Sequence, residues 1–298
     1  MFQTLVIGST VVDVLINIPV LPGRGEDVNT TSVAYSIGGC AYNVYRILQL
    51  MKSPAMLCSP VGTGIYGRMV KEQLERESLS PFVRLEEENG CCFCLVEPDG
   101  ERSFISYHGA EYRFSKSWMK NIDFSKTNSV YICGIEVEDP DGNEIVEFVC
   151  EHPELELYFA PGPRITQIPH ERMEALLSHR DSKGKGPFFH LNENETLRFT
   201  GKRRLKEGAE FIAEKTESGV VVTLGERGCY CLSKAGEKGN YIPGFPARVI
   251  DTVGAGDAHC GAVIASLKEG MTLEDACLRA NKTGAAVAGV QGAIPEIL

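Results

Sequence analysis

The chain has 298 residues, with 30 Lys and Arg against 40 Asp and Glu, a formal net charge of −10. Apolar residues make up 43 % and charged residues 23 %, an ordinary globular composition that excludes a disordered chain. The acidic balance argues against a sequence-independent grip on nucleic acid or an anionic membrane, both of which need clustered Lys and Arg. In chain order, Leu5-Val6-Ile7-Gly8-Ser9 reads as a buried strand ending in glycine, and Val11 to Ile18 as a second β-branched strand. Gly38-Gly39 precedes a helix over Ala41 to Met51, with Val44, Ile47, Leu48 and Met51 at helical spacing. A strand over Ala55 to Val61 comes next, then a glycine loop and a charged helix over Arg68 to Glu77. Cys92, Cys94 and Val96 alternate ahead of a Glu97-Pro98-Asp99-Gly100 turn, and Phe104 to Tyr107 resumes extended structure, predicting a β-hairpin. From Ser129 onward strands and helices alternate, which implies an α/β fold with a mostly parallel sheet covered on both faces. One domain over residues 1–298 is expected, with a small β element built from about 12–34 and 88–108.

The start Met1-Phe2-Gln3-Thr4 lacks the cationic head of a secretory signal, and no run of about eighteen apolar residues occurs, so a cytoplasmic protein is expected. The eleven cysteines agree: their number is odd, and the groups Cys91-Cys92-x-Cys94 and Cys229-x-Cys231 fall in strand-like stretches where near neighbours do not readily bridge. Zinc-type pairs with matching partners are not evident, so no metal role is expected for them. Gly62-Thr63-Gly64-Ile65-Tyr66-Gly67 fits the dinucleotide fingerprint G-x-G-x-x-G, with acids at Glu86 to Glu88 about twenty residues on. Two strands and a helix precede it, however, which favours a tight strand-to-helix turn over an NAD site.

The most informative segment is Asp251-Thr252-Val253-Gly254-Ala255-Gly256-Asp257, which opens an apolar helix. Such a loop leaves backbone N–H groups unpaired at a helix start, a natural anion cradle. A carboxylate at the first turn would repel a phosphate that is merely held. A base that deprotonates an attacking hydroxyl explains the amides and the acid together. The competing reading is an acid that only complements the helix dipole, worth about 0.3–1 kcal/mol. Asn192-Glu193-Asn194-Glu195 can likewise be a capping box, and Asp13 or Asn43 a structural polar group.

The 251–257 segment resembles the C-terminal signature of the ribokinase-like carbohydrate kinases, the PfkB family, and further elements follow in family order. Gly8-Ser9 with Asp13 resembles the first strand and its substrate-binding aspartate, and Gly38-Gly39 with Asn43 the N-terminal glycine signature. Asn192 to Glu195 is similar to the Asn-x-x-Glu element associated with magnesium and phosphate. Val221 to Gly228 looks like the nucleotide-binding strand and loop, and Asn281 with Gly292-Ala293-x-Pro295 like the adenine side. The resemblance implies a three-layer sandwich with a β-sheet lid and ATP-dependent phosphorylation of a hydroxyl, expected to be primary, on a sugar or sugar derivative. A nucleoside kinase of the same family is the alternative, with Tyr42, Phe93, Phe104 and Tyr107 as rings able to stack on a base. An NAD-dependent oxidoreductase using the 62–67 loop is the remote one.

By the same resemblance Asp257 is the general base and the Gly254, Ala255 and Gly256 amides form the anion hole. Asp13, Gly38, Gly39 and Asn43 bind substrate. Asn192, Glu195, Thr223, Gly225, Gly228 and Asn281 bind ATP and Mg²⁺, with Glu195 acting on the metal through water. Asp251, with the Val253, Val287, Val290 and Gly292 carbonyls, matches the region where members bind a monovalent cation such as K⁺. Edge strands of the lid suggest a homodimer. Several positions depart from the family pattern: Val11 replaces an Asn, Cys40 a Lys, Gly64 an acid, and Ala160-Pro161-Gly162-Pro163-Arg164 stands for Asp-Pro-Asn-x-Arg. The catalytic end is intact and the sugar-facing end has changed, which argues against D-ribose as the acceptor. Arg164 and His259 receive no assigned role.

Overall fold

The alternation of β-branched runs with amphipathic stretches is realised in the computed structural model, which describes residues 2–290 and Gly292. Ala293 and Pro295 of the C-terminal motif lie outside the described residues. Strands β1 (Gln3–Ile7), β2 (Val11–Asn17) and β3 (Ser32–Gly38) lead into helix α1 (Cys40–Leu50). Next come β4 (Ala55–Cys58), β5 (Pro60–Thr63), α2 (Gly64–Arg76), β6 (Val83–Glu88), β7 (Cys91–Val96) and β8 (Arg102–Tyr107). After β9 (Thr127–Cys133) follow α3 (Gly134–Glu138), α4 (Gly142–Glu151), β10 (Glu156–Ala160) and α5 (His170–Ser178). Then β11 (Phe188–Asn192), α6 (Glu193–Thr200), α7 (Leu205–Thr216) and β12 (Val220–Thr223) precede the hairpin β13 (Cys229–Leu232) and β14 (Asn240–Ile242). Helices α8 (Ala255–Lys268) and α9 (Leu273–Ala288) complete the described chain. No helix among the described residues is long and apolar enough to cross a membrane.

The chain divides into two compact units. The larger comprises Met1–Gly8, Cys40–Cys58 and Phe114–Leu298. Its sheet runs β14-β13-β12-β11-β10-β9-β1-β4, parallel from β12 to β4 and antiparallel only at the β13–β14 edge. Leu5, Val6, Val130, Ile132, Phe159, Phe189 and Val221 are all fully buried, as strands covered by helices on both faces require. The order reverses at β1, which has β4 on one side and β9 on the other, so the crevice beyond the strands' carboxyl ends opens there. The residues that leave those ends are Gly8 after β1, Glu136 after β9, Asn192 at the tip of β11 and Gly225 after β12. Helix α1 packs on α8, and α8 on α9, while α3, α4, α5, α6 and α7 form a second contiguous group.

The smaller unit comprises Ser9–Gly39 and Ser59–Arg113. Its four-stranded sheet has the order β3-β2-β7-β8, so the expected hairpin is β7–β8. The register aligns Ser36, Asp13, Cys92 and Ser106 in one row, and Tyr35, Val14, Phe93 and Ile105 in the next. Successive rows point to opposite faces, so one face is polar around Asp13 and the other apolar. The stretch expected as a single strand over 55–61 is two strands in different sheets: β4 pairs with β1, and β5 with β6. Pro60 has no N–H with which to continue a ladder, and it takes the first position of the new strand, where that donor is least missed. The 62–67 glycines answer to packing rather than to a dinucleotide. The Gly62 amide donates to Asn89 Oδ1 at 2.6 Å. A Cβ there would lie 2.1 Å from the Glu87 carbonyl oxygen, and one on Gly67 2.4 Å from the Gly62 carbonyl oxygen.

In the larger unit the α1–α8 crossing is equally tight. A Cβ on Gly261 would lie 3.0 Å from Ile47 Cβ and 3.1 Å from the Val44 carbonyl oxygen. Gly261→Val should therefore destabilise the protein by about 1–3 kcal/mol through overpacking, read as a lower urea midpoint at unchanged m-value. An unchanged midpoint would mean that the two helices do not need this close approach.

Candidate active site

The loop before α8 turns on Gly254, whose φ of 73° lies in the left-handed region that glycine enters without strain. The Gly254 carbonyl accepts the Ala258 N–H at 2.8 Å, which closes the first helical turn. Amides of that turn lie outside the helical ladder and face the start of the helix. Ala255 N–H makes a long bond of 3.3 Å to the Thr252 carbonyl. The position a Cβ would take on Gly256 is open space. Asp251 braces the loop from below: its Oδ1 accepts the Val253 N–H at 2.8 Å and its Oδ2 the Gly292 N–H at 3.1 Å.

Asp257 stands in the first turn of α8. The α1–α8 crossing brings Asn43 to it, and Asn43 Nδ2 donates to Asp257 Oδ2 at 2.8 Å. Asn43 is only 3 % exposed, and its Oδ1 is buried without a hydrogen-bond partner, an acceptor waiting for a donor beside the base. The Cys40 thiol also hydrogen-bonds the Asp257 carboxylate. Cys133 beside it, together with burial, holds Cys40 well above the usual thiol range, so it keeps its one S–H proton, which either neighbour can accept. Burial pushes the Asp257 carboxyl up to about 7; Asn43 and Cys40 pull it down, and the Glu136 and Glu195 carboxylates raise it further. Glu136 is 2 % exposed, and Gly8 leaves room for it: a Cβ on Gly8 would sit 2.9 Å from Glu136 Oε1. The result is a carboxylate that titrates near neutrality, as a general base requires.

Asn192 and Glu195 form the capping box of α6. Asn192 Oδ1 accepts the Glu195 N–H at 2.8 Å, and Glu195 Oε2 accepts the Asn192 N–H at 3.0 Å. Asn192 Nδ2 also donates to Glu195 Oε1 at 2.8 Å. Burial raises the Glu195 carboxyl, against the Asn192 amide bond that lowers it. The cap accounts for the spacing of this pair and fixes a carboxylate within electrostatic reach of Asp257.

A cleft of about 650 Å³ opens beside the glycine loop. Thr223, Gly225, Gly228 and Asn281 all line it, as does Gly256 at the start of α8. Glu226, Arg227 and His259 add polar groups to the wall, and Phe245, Val249 and Ala285 give it apolar surface from segments without a sequence signature. Asn281 does more than line the cleft. Its Nδ2 donates to the Ile242 and Pro243 carbonyls at 3.1 and 3.0 Å, which pins the strand end forming the wall. Its Oδ1 must then accept, and His259 Nε2–H supplies the bond at 3.0 Å. His259 Nδ1 in turn accepts from His190 Nε2–H at 2.9 Å. Burial and the neighbouring His259 hold His190 well below the usual imidazole range, so His190 is neutral. His259, which receives no role from the sequence, is buried as the link between β11 and the cleft wall.

The other expected substrate residues lie in the smaller unit. Asp13 is 7 % exposed on β2. Gly38 closes β3, and Gly39 has a φ of 100° with the Ser9 carbonyl oxygen 2.6 Å from where a Cβ would be. Arg164 is ion-paired with Glu138 at 3.1 Å. The residues missed in sequence are Cys133, Glu136 and His190. Only the Cys40 departure from the family pattern signalled that the surroundings of the base had been rebuilt.

A family model described as pfkB family carbohydrate kinase matches residues 1–297. The chain is 31 % identical over 295 residues to the uncharacterized sugar kinase YegV of Escherichia coli, covering 97 % of this chain and 89 % of that protein. It superposes on a ribokinase of Arabidopsis thaliana complexed with ribose and ATP with TM-score 0.77 at 22 % identity, covering 99 % of this chain and 95 % of that one. For a nucleoside kinase of Burkholderia thailandensis in complex with inosine the TM-score is 0.80 at 18 % identity, covering 98 % and 91 %. With its glycine loop, the acid in the first turn behind it and a match running from end to end, the chain belongs to the pfkB family of carbohydrate kinases.

Proposed function

We propose that this protein transfers the γ-phosphoryl group of ATP to a primary hydroxyl of a sugar or sugar derivative. The observation that carries the reading is Asp257, a carboxylate raised to about 7 by burial at the amino end of α8, in a first turn whose residues Ala255 and Gly256 also line the cleft. Asp257 takes the proton from the acceptor hydroxyl as its oxygen attacks phosphorus in line with the departing ADP. The Gly254, Ala255 and Gly256 amides stabilise charge on the transferring phosphoryl group. Asn43 orients the base through Nδ2 and offers its buried Oδ1 to the acceptor. Asp13, Gly38 and Gly39 are assigned to the acceptor by the family resemblance alone. Thr223, Gly225, Gly228 and Asn281 hold the nucleotide. The ribokinase neighbour complexed with ribose and ATP supports this assignment by likeness of fold.

Mg²⁺ fits the oxygen donors of Asn192 and Glu195. Both Glu195 oxygens accept from Asn192 and retain lone pairs for hydrogen bonds from metal-bound water. When bound with ATP, the ion neutralises phosphate charge. A monovalent cation such as K⁺ is proposed beside Asp251, whose carboxylate is 4 % exposed and gains from a neutralising charge. The four-stranded sheet is proposed as a lid that shuts out water as a competing acceptor. Tyr35 and Ile105, which share a row on its apolar face, are 58 % and 59 % exposed, which supports a homodimer through this sheet. A cytoplasmic setting agrees with eleven cysteines that are all free thiols. A nucleoside acceptor is the second reading, favoured by one observation. Phe104, 56 % exposed, lies in the Leu15–Cys94–Phe104 row, on the same face as Asp13, where its ring could stack on a base.

A panel of hexoses, pentoses, sugar phosphates and nucleosides, assayed by ADP release with Mg²⁺ and K⁺, should single out one acceptor class. Turnover of none of them would overturn the reading. Asp257→Asn should lower kcat by about 10²–10⁴ with little change in the KM for ATP; near wild-type turnover would remove Asp257 from the base role. Because the base must be unprotonated, kcat/KM should fall tenfold per pH unit below about 7 and level off above it. Glu136→Gln removes a charge that raises Asp257, so it should move that limb to lower pH. His259→Phe breaks the link to Asn281 and should raise the KM for ATP by about 2–10-fold, the worth of one hydrogen bond, at nearly constant kcat. A loss in kcat alone would contradict the clamp.

A further inference from the structure

The smaller unit carries a second constellation, of which the proposed phosphoryl transfer uses only Asp13. Cys92 and Cys94 are two apart on β7, so their side chains share a face, and register places Asp13 of β2 directly opposite Cys92. The Asp13 carboxylate and the two sulfur atoms all lie within 4.8 Å of one another. The Cys94 and Cys92 sulfurs are 3.9 Å apart. Two thiolates each about 2.3 Å from a tetrahedral ion would be about 3.8 Å apart, so the pair already has the spacing that coordination demands. A disulfide fits less well. Residues two apart on a strand have Cα atoms about 6.6 Å apart, at the far limit of the usual disulfide span of about 4.4–6.8 Å.

Asp13 and Cys94 are 7 % and 0 % exposed, while Cys92 is half-buried and gives solvent a way in. The geometry points to a three-ligand Asp13–Cys92–Cys94 site for a soft divalent cation of the zinc type, with its fourth position open. Two sulfur ligands select against Mg²⁺ and Ca²⁺, which take oxygen, so this site is separate in chemistry from the metal that accompanies ATP. Cys92 and Cys94 lack the Cys-x₂₋₄-Cys spacing that usually signals such a site, because these ligands come from a strand and its neighbour rather than from a knuckle. Loading replaces the thiol protons with the ion, because only the thiolate ligates. The ion would engage the carboxylate assigned above to the acceptor, so ion and acceptor would exclude each other. That consequence rests on the proposed function; the site itself does not, since it is read out by ion binding alone.

The test is a titration of the reduced, chelator-treated protein with Co²⁺, a spectroscopic substitute for Zn²⁺. One ion per chain with thiolate-to-cobalt charge-transfer absorption is expected, displaced by Zn²⁺. Cys92→Ser, at a half-buried position where serine is tolerated, should abolish the absorption. Cys150→Ser, which removes an exposed thiol elsewhere, should leave it intact. In the unaltered protein, Zn²⁺ should slow alkylation of Cys92 and leave that of Cys150 unchanged. Absence of the charge-transfer band from the wild-type protein, its survival in Cys92→Ser, or equal alkylation rates with and without Zn²⁺ would each overturn the site.

Discussion

The chemistry assigned to this protein depends on one contact, the hydrogen bond from Asn43 to Asp257 across the α1–α8 crossing. A carboxylate buried at a helix start is costly as an anion unless something binds it. Were burial and the neighbouring acids unopposed, Asp257 would stay protonated at neutral pH and could not act as a base. Were the donors stronger or the site wetter, it would titrate with the exposed carboxylates and pull weakly on an alcohol proton. The Asn43 amide and the Cys40 thiol oppose the desolvation that comes first and the Glu136 and Glu195 charges that add to it, and the balance falls at about 7. Packing sets that balance. Gly261 lets α8 approach α1 closely enough for the short Asn43 side chain to reach, and Gly8 admits Glu136 to the same place.

The cleft wall depends on a similar economy of groups. Asn281 has one amide for two tasks: it lines the cleft and holds the Ile242 and Pro243 carbonyls. Its orientation follows from the ring behind it, because a His259 N–H can be accepted only by the amide oxygen. His190 fixes the His259 tautomer and is itself kept neutral by burial. A run of side chains from β11 to α9 therefore determines which amide atom faces which partner. A fully satisfied buried network of this kind is rigid, because any flip would strand two polar groups at once.

Much of this was legible in sequence, and the boundary has a physical cause. The parallel sheet was readable because strands covered on both faces must be continuously apolar, as Leu5–Ile7 and Val220–Val222 are. The glycine loop was readable because Gly254 needs a left-handed φ, a constraint that leaves a fixed residue type at a fixed position. The break at Ser59 between β4 and β5 was missed, since the apolar run continues through it and only Pro60 hints at a change of sheet. Cys133, Glu136 and His190 were missed for another reason. Each follows or lies within an ordinary strand, and each gains its meaning from a neighbour far away in the chain, which no local spacing encodes. Asn192 and Glu195 show the limit from the other side: one spacing serves a helix cap and a phosphate-side acid, and the structure contains the cap without excluding the acid.

The departures from the family fall in both units, Val11 and Gly64 in the smaller and Cys40 and Ala160 to Arg164 in the larger, and they weigh differently in each. The base, its donors and the nucleotide cleft are all built by the larger unit, whose packing couples them; a change at Asn43 or Gly261 disturbs Asp257. The row Ser36–Asp13–Cys92–Ser106 belongs to the smaller sheet, where each side chain stands on its own strand and alters only its own rung. Rungs of that kind can change one at a time at little cost to the fold, whereas a change among the coupled groups of the larger unit shifts its neighbours as well. The thiols, hydroxyls and exposed Phe104 around Asp13 can therefore vary one by one, whereas a change beside Asp257, as at Cys40, is felt by the base itself.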